Sequence, residues 1–64
     1  MNMTSFPIKD GVVDVCFSPD EGFFYLMKYT FSTKGRWVSK ASYATAAEAV
    51  TAFQKPRGVR WIAD

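Results

Sequence analysis

Histidine is absent from this 64-residue chain, and cysteine occurs once, at Cys16. Without histidine the commonest general base is missing. Without a second cysteine there is neither an internal disulfide nor the Cys/His spacing of a structural zinc site. No apolar run approaches the roughly 18 residues that a membrane span requires. The start, Met1-Asn2-Met3-Thr4-Ser5, lacks the basic-then-apolar plan of a signal peptide. Phosphate-cradling glycine loops and nucleophile elbows are equally missing. Cys16 has no base near it in sequence and stands in an alternating stretch, where a free thiol behaves as a small hydrophobe. Asp20 and Glu21 pair two carboxylates, but in a turn whose local hydrogen bonding explains them. These absences point away from an enzyme, from metals and cofactors and from the membrane. They point toward a reducing, cytoplasmic location.

What is present is apolar and aromatic. Hydrophobic residues make up 48% of the chain, with six Phe, three Tyr and two Trp. One domain of this size buries only about 60% of the surface its unfolded chain exposes, so its few core residues must be large. The net charge of +2 is unevenly spread. Residues 1–27 set one base, Lys9, against Asp10, Asp14, Asp20 and Glu21. Residues 28–64 set Lys28, Lys34, Arg36, Lys40, Lys55, Arg57 and Arg60 against Glu48 and Asp64. Such polarity suits an anionic partner on the basic side, although small domains also scatter charge by chance.

The patterning predicts an α+β fold, an antiparallel β-meander of three to four strands with one C-terminal helix packed on one face. Thr4–Ile8 reads as a short edge strand, tolerating Pro7 because an edge needs fewer donors. Lys9-Asp10-Gly11 reads as a tight turn. Strand-like alternation covers Val12–Ser18, and Ser18-Pro19-Asp20-Glu21-Gly22 turns the chain, with glycine taking the positive φ. Phe23–Ser32 is apolar on both faces and so reads as a central strand. Gly35 is expected in the left-handed region of the next hairpin, and Arg36–Ala44 returns as a strand. Thr45-Ala46-Ala47-Glu48 matches a capping box, with the Glu48 carboxylate reaching back to the Thr45 N–H. Ala46, Ala49, Val50 and Phe53 then recur at helical spacing over residues 46–54, until Pro56 ends the pattern. Val59–Ile62 either adds a last edge strand or lays Trp61 across the core, and the pattern leaves both open.

Alternation also assigns faces. Val13, Val15, Phe17, Phe23, Tyr25, Met27, Tyr29, Phe31, Trp37, Ala41 and Tyr43 are expected beneath the helix. The opposite face would then carry Asp14, Cys16, Phe24, Leu26, Lys28, Thr30, Arg36, Val38, Lys40 and Ser42. On it Lys28, Arg36 and Lys40, with Lys34 at the hairpin tip, would form a basic patch able to meet phosphates. Phe24, Leu26 and Val38 would instead make an apolar protein contact rimmed by those bases. Lys55, Arg57 and Arg60 form a second basic cluster, which the helix C-terminus also favours. A protein partner stands ahead of nucleic acid, and an unprotected strand edge would allow homodimerisation.

The segment Gly35, Trp37, Tyr43, Thr45, Glu48, Ala49 and Phe53, spanning a hairpin, a late strand and a Thr-x-x-Glu-Ala helix start, resembles the arm-binding domain of phage-type tyrosine integrases. That domain is itself similar to the plant ethylene-response DNA-binding domain. The resemblance implies a helix packed on a three-stranded sheet whose free face enters a DNA groove, with Lys28, Arg36 and Lys40 in the contacting positions. Asp14 on that face and the extra Val59–Ile62 segment depart from the pattern. By size and style alone, the chain is also similar to phage or mobile-element proteins that inhibit a host machine by masking its surface.

Overall fold

The computed structural model describes residues 4–63, so Met1–Met3 of the start read above, and Asp64, lie outside the described residues. Five strands and one helix follow in the order β1 (Thr4–Ile8), β2 (Gly11–Ser18), β3 (Phe23–Thr30), β4 (Arg36–Ser39), α1 (Ala46–Gln54) and β5 (Trp61–Ala63). The strands form one antiparallel sheet in sequence order, and α1 lies over β2 and β3. This is the expected α+β meander, carried to five strands by short strands at both ends.

Turn chemistry sets the registers. Gly22 takes φ +74 and donates to the Ser18 carbonyl at 2.8 Å, closing the β2–β3 turn as expected. Residues 19–22 are even in number, so Ser18 pairs with Phe23 and every odd residue of β2 faces an even residue of β3. Two glycines act otherwise than expected. Gly11 belongs to β2, where a Cβ would come within 1.8 Å of the Tyr29 carbonyl oxygen; close backbone approach, not turn geometry, demands glycine. In the β3–β4 hairpin the left-handed residue is Lys34 (φ 53), while Gly35 makes room for the Trp37 ring.

The expected strand over residues 36–44 is shorter, because a side chain replaces the backbone ladder. Ser39 is buried; its hydroxyl accepts from the Leu26 N–H at 3.0 Å and donates to the Ala41 carbonyl at 2.8 Å. The Lys40 N–H turns outward to the Arg60 carbonyl, and the chain rejoins β3 only at Tyr43, which exchanges two 2.8 Å bonds with Phe24. Strand β3 likewise stops at Thr30, before Phe31 and Ser32. There the Phe31 N–H donates to the Asp10 carbonyl and the Ser32 hydroxyl to the Asp10 carboxylate.

Helix α1 occupies the expected residues. The Thr45 hydroxyl accepts from the Glu48 N–H at 3.1 Å, but the Glu48 carboxylate reaches the Ala44 N–H, one residue earlier than the capping-box expectation. Ala49 is fully buried against Val13, Val15 and Leu26, and Phe53 meets the Phe6 ring at 5.8 Å. The last segment fulfils both alternatives: Trp61–Ala63 pairs with β4, and Trp61 packs on the core.

The open sheet face as candidate functional site

Residues opposite one another on paired strands project to the same side of the sheet. Val15 pairs with Leu26, Val13 with Lys28, Phe17 with Phe24, and Lys28 with Trp37, so these share the helix-covered side. The open side carries Val12, Asp14 and Cys16 from β2 and Phe23, Tyr25, Met27 and Tyr29 from β3. Arg36 and Val38 from β4, and Ile62 from β5, extend it.

The expected face assignment is therefore corrected for β3. Phe23, Tyr25, Met27 and Tyr29 lie away from the helix, while Phe24, Leu26, Lys28 and Thr30 lie beneath it. The physical reason is the even-numbered turn at residues 19–22, which forbids Val13, Val15 and Phe17 from sharing a side with odd residues of β3. Aromatic content therefore does not decide which row of β3 lies inward; the register with β2 does.

The predicted site residues separate accordingly. Leu26 is 0% exposed and Phe24 packs against the core, so neither is offered to a partner as expected. Lys28 stands on the helix side, its ammonium 5.3 Å from the Trp37 ring centroid and 4.8 Å from that of Trp61. Arg36 and Val38 keep their places on the open face, Lys34 is exposed at the hairpin tip, and Lys40 is exposed where the chain leaves β4. The four-base patch of Lys28, Lys34, Arg36 and Lys40 is thus not assembled. In the second cluster Lys55 and Arg57 line one crevice together with Lys28, and Arg60 is not among its lining residues.

What the open face does present is apolar. Tyr29 is 37% exposed and Ile62 47%, and they stand on a surface continuous with half-buried Val12, Tyr25, Met27 and Val38. A shallow depression on this side is lined by Tyr25, Met27 and Val38 with Ser18, Glu21, Ser39 and Ser42. At one end Phe31, 58% exposed, meets the Tyr29 ring edge-on at 6.1 Å. The Asp14 carboxylate accepts a hydrogen bond from the Ser5 hydroxyl. Burial pushes the Cys16 thiol up from its ordinary range; a hydrogen bond with Tyr25 partly opposes this, and the Asp14 charge adds to it. The thiol is consequently protonated and poorly nucleophilic at neutral pH.

Tyr25, Met27, Tyr29 and Ile62 are the candidate contact residues that alternation alone misplaced or omitted; the parity of the 19–22 turn was the signal for the first three. Edge pairing meets an obstacle at β1, because Pro7 has no N–H to offer an added strand. Among the described residues no helix is long and apolar enough to cross a membrane. No protein-family model, curated protein or solved structure matches this chain.

Proposed function

We propose that this protein is a non-enzymatic binding domain that engages a protein partner through the open face of its sheet. The observation that carries the reading is the apolar row Tyr25, Met27 and Tyr29 with Val38 and Ile62, left uncovered on a sheet whose other side already holds the helix. Contiguous apolar surface of this kind marks interaction sites, and tyrosine and methionine are enriched where proteins meet. Among the described open-face strand residues the charges are one acid, Asp14, and one base, Arg36. A near-neutral face of this composition suits an apolar protein surface better than a phosphate backbone, which rewards clustered cations.

A photo-crosslinking side chain placed at Met27, beside the same group at Thr51 on the exposed helix flank, tests the reading. Adducts to one protein from Met27 but not Thr51, reproduced with that protein purified, are the expected result. Equal labelling from both positions, or none from either with the fold intact, would remove it.

A further inference from the structure

On the helix side of the sheet, away from the open face, a crevice of about 330 Å³ separates the end of α1 from β3 and β5. Its wall is apolar, built from Val13, Phe53, Val59 and Trp61, and three cations reach it from separate parts of the chain. Lys28 comes from β3, Lys55 from the helix C-cap, and Arg57 from the loop beyond.

The helix dipole accounts for cations at residues 55 and 57. It does not account for Lys28, which arises from a strand and whose ammonium lies over two indole rings, at 5.3 and 4.8 Å from their centroids. That arrangement holds one positive charge at the crevice.

The backbone beside the crevice fixes where Arg57 stands. Arg57 has φ 57, and among the described residues only it and Lys34 combine a positive φ with a side chain. Lys34 forms a hairpin tip. Arg57 instead is the third residue of the turn Lys55-Pro56-Arg57-Gly58, closed by the Gly58 N–H donating to the Lys55 carbonyl at 2.9 Å, a place where a proline-led turn requires a positive φ; Gly58 itself cannot be enlarged, since a Cβ would come within 2.2 Å of the Ala52 carbonyl oxygen. The chain thus holds an arginine in the conformation that glycine adopts freely, at a position where its side chain lines the crevice.

We propose that this crevice is a binding site for a small phosphorylated molecule. Its phosphate is held by Lys28, Lys55 and Arg57, and its apolar part lies against Val59 and Trp61. Ammonium and guanidinium donors to phosphate form short, charge-assisted hydrogen bonds, and the apolar wall distinguishes an organic phosphate from the inorganic ion. The site is independent of the open-face reading and stands or falls without it.

The test is a titration of the full chain with phenyl phosphate, inorganic phosphate and phenol at low salt, followed by the amide signals of Gly58 and Val59 and the indole signal of Trp61. Lys55→Ala and Arg57→Gly are the variants, both at exposed positions. Phenyl phosphate should bind more tightly than inorganic phosphate, and phenol should not bind. Each variant should weaken phenyl phosphate binding about tenfold or more. Arg57→Gly should at the same time raise the melting temperature, since glycine relieves the positive φ; a merely structural Arg57 would not couple greater stability to lost binding. No response from the wild-type signals up to about 10 mM, far weaker than a specific site requires, overturns the proposal. A response unchanged in both variants also overturns it. Tighter binding of a single-stranded oligonucleotide with the same variant sensitivity would overturn the small-molecule assignment in favour of nucleic acid.

Discussion

Strand β3 shows two sides of one eight-residue segment put to different uses. Phe24, Leu26 and Lys28 point toward α1, where Leu26 is sealed between Val15 and Ala49 and Lys28 is boxed by indoles. Tyr25, Met27 and Tyr29, one residue out of phase, point to the side of the sheet away from α1. Hydrophobicity does not separate these rows, since the open one is the more aromatic. They differ in what the tertiary structure places opposite them. An apolar row becomes a core only when a second layer reaches it, and the described residues offer one helix for two apolar faces. The other face remains as surface.

The comparison can be broken most sharply at Leu26. Leu26→Ala truncates the largest fully buried side chain among the described residues and should cost about 3 kcal/mol, read from the denaturant midpoint. Met27→Ala, its neighbour on the other side, should cost less than about 1 kcal/mol in the same assay, because its side chain is only half-buried. Equal losses would erase the distinction between the faces. A second perturbation acts through the helix that makes the covered face. Thr45→Ala removes the acceptor of the Glu48 N–H and should destabilise by about 1 kcal/mol, with Thr45→Gly losing less. A cap loss that left stability untouched would mean that α1 is held by docking alone.

The smallest expected effect concerns pH and belongs to the open face. The Cys16 thiol is raised from 9.0 in the folded chain, so the folded state binds its proton more tightly than the unfolded state does. The stability this contributes is fully present below the unfolded thiol pKa and is lost as pH rises through the folded one. Stability of the wild type, compared with Cys16→Ser, should therefore fall slightly more steeply above about pH 9 and run parallel below it. Alkylation of the native thiol should be slow at neutral pH and faster in Asp14→Asn, which removes the neighbouring negative charge. A fast, pH-independent alkylation would contradict the half-buried position of Cys16 on this face.

Much of the fold was legible because it rests on local chemistry. Thr45, Glu48 and the alanines mark the helix start, Pro56 its end, and Gly22 a turn whose positive φ only glycine accepts without cost. The alternation of Val13, Val15 and Phe17 reads as a half-buried strand for the same reason. Local pattern failed where two alternatives were equally apolar. Phe23–Ser32 offers hydrophobic residues on both sides, and choosing the aromatic row for the interior placed Lys28 beside Arg36, on the wrong side of the sheet. Ser39 gave no sign that its hydroxyl would replace a ladder bond and end β4 early. Gly11 and Gly35 looked like turn glycines, yet each serves a neighbour distant in the pairing: the Tyr29 carbonyl and the Trp37 ring.

The sequence by itself determined the element types and most of their limits, because capping, proline blocks and two-residue alternation act within a few residues of their cause. Only the tertiary structure decided which face of β3 became core, how β5 joined the sheet, and that Lys28, Lys55 and Arg57 meet at one crevice. Those outcomes depend on pairing register and on where a single helix docks, and both are set by contacts between residues far apart in the chain.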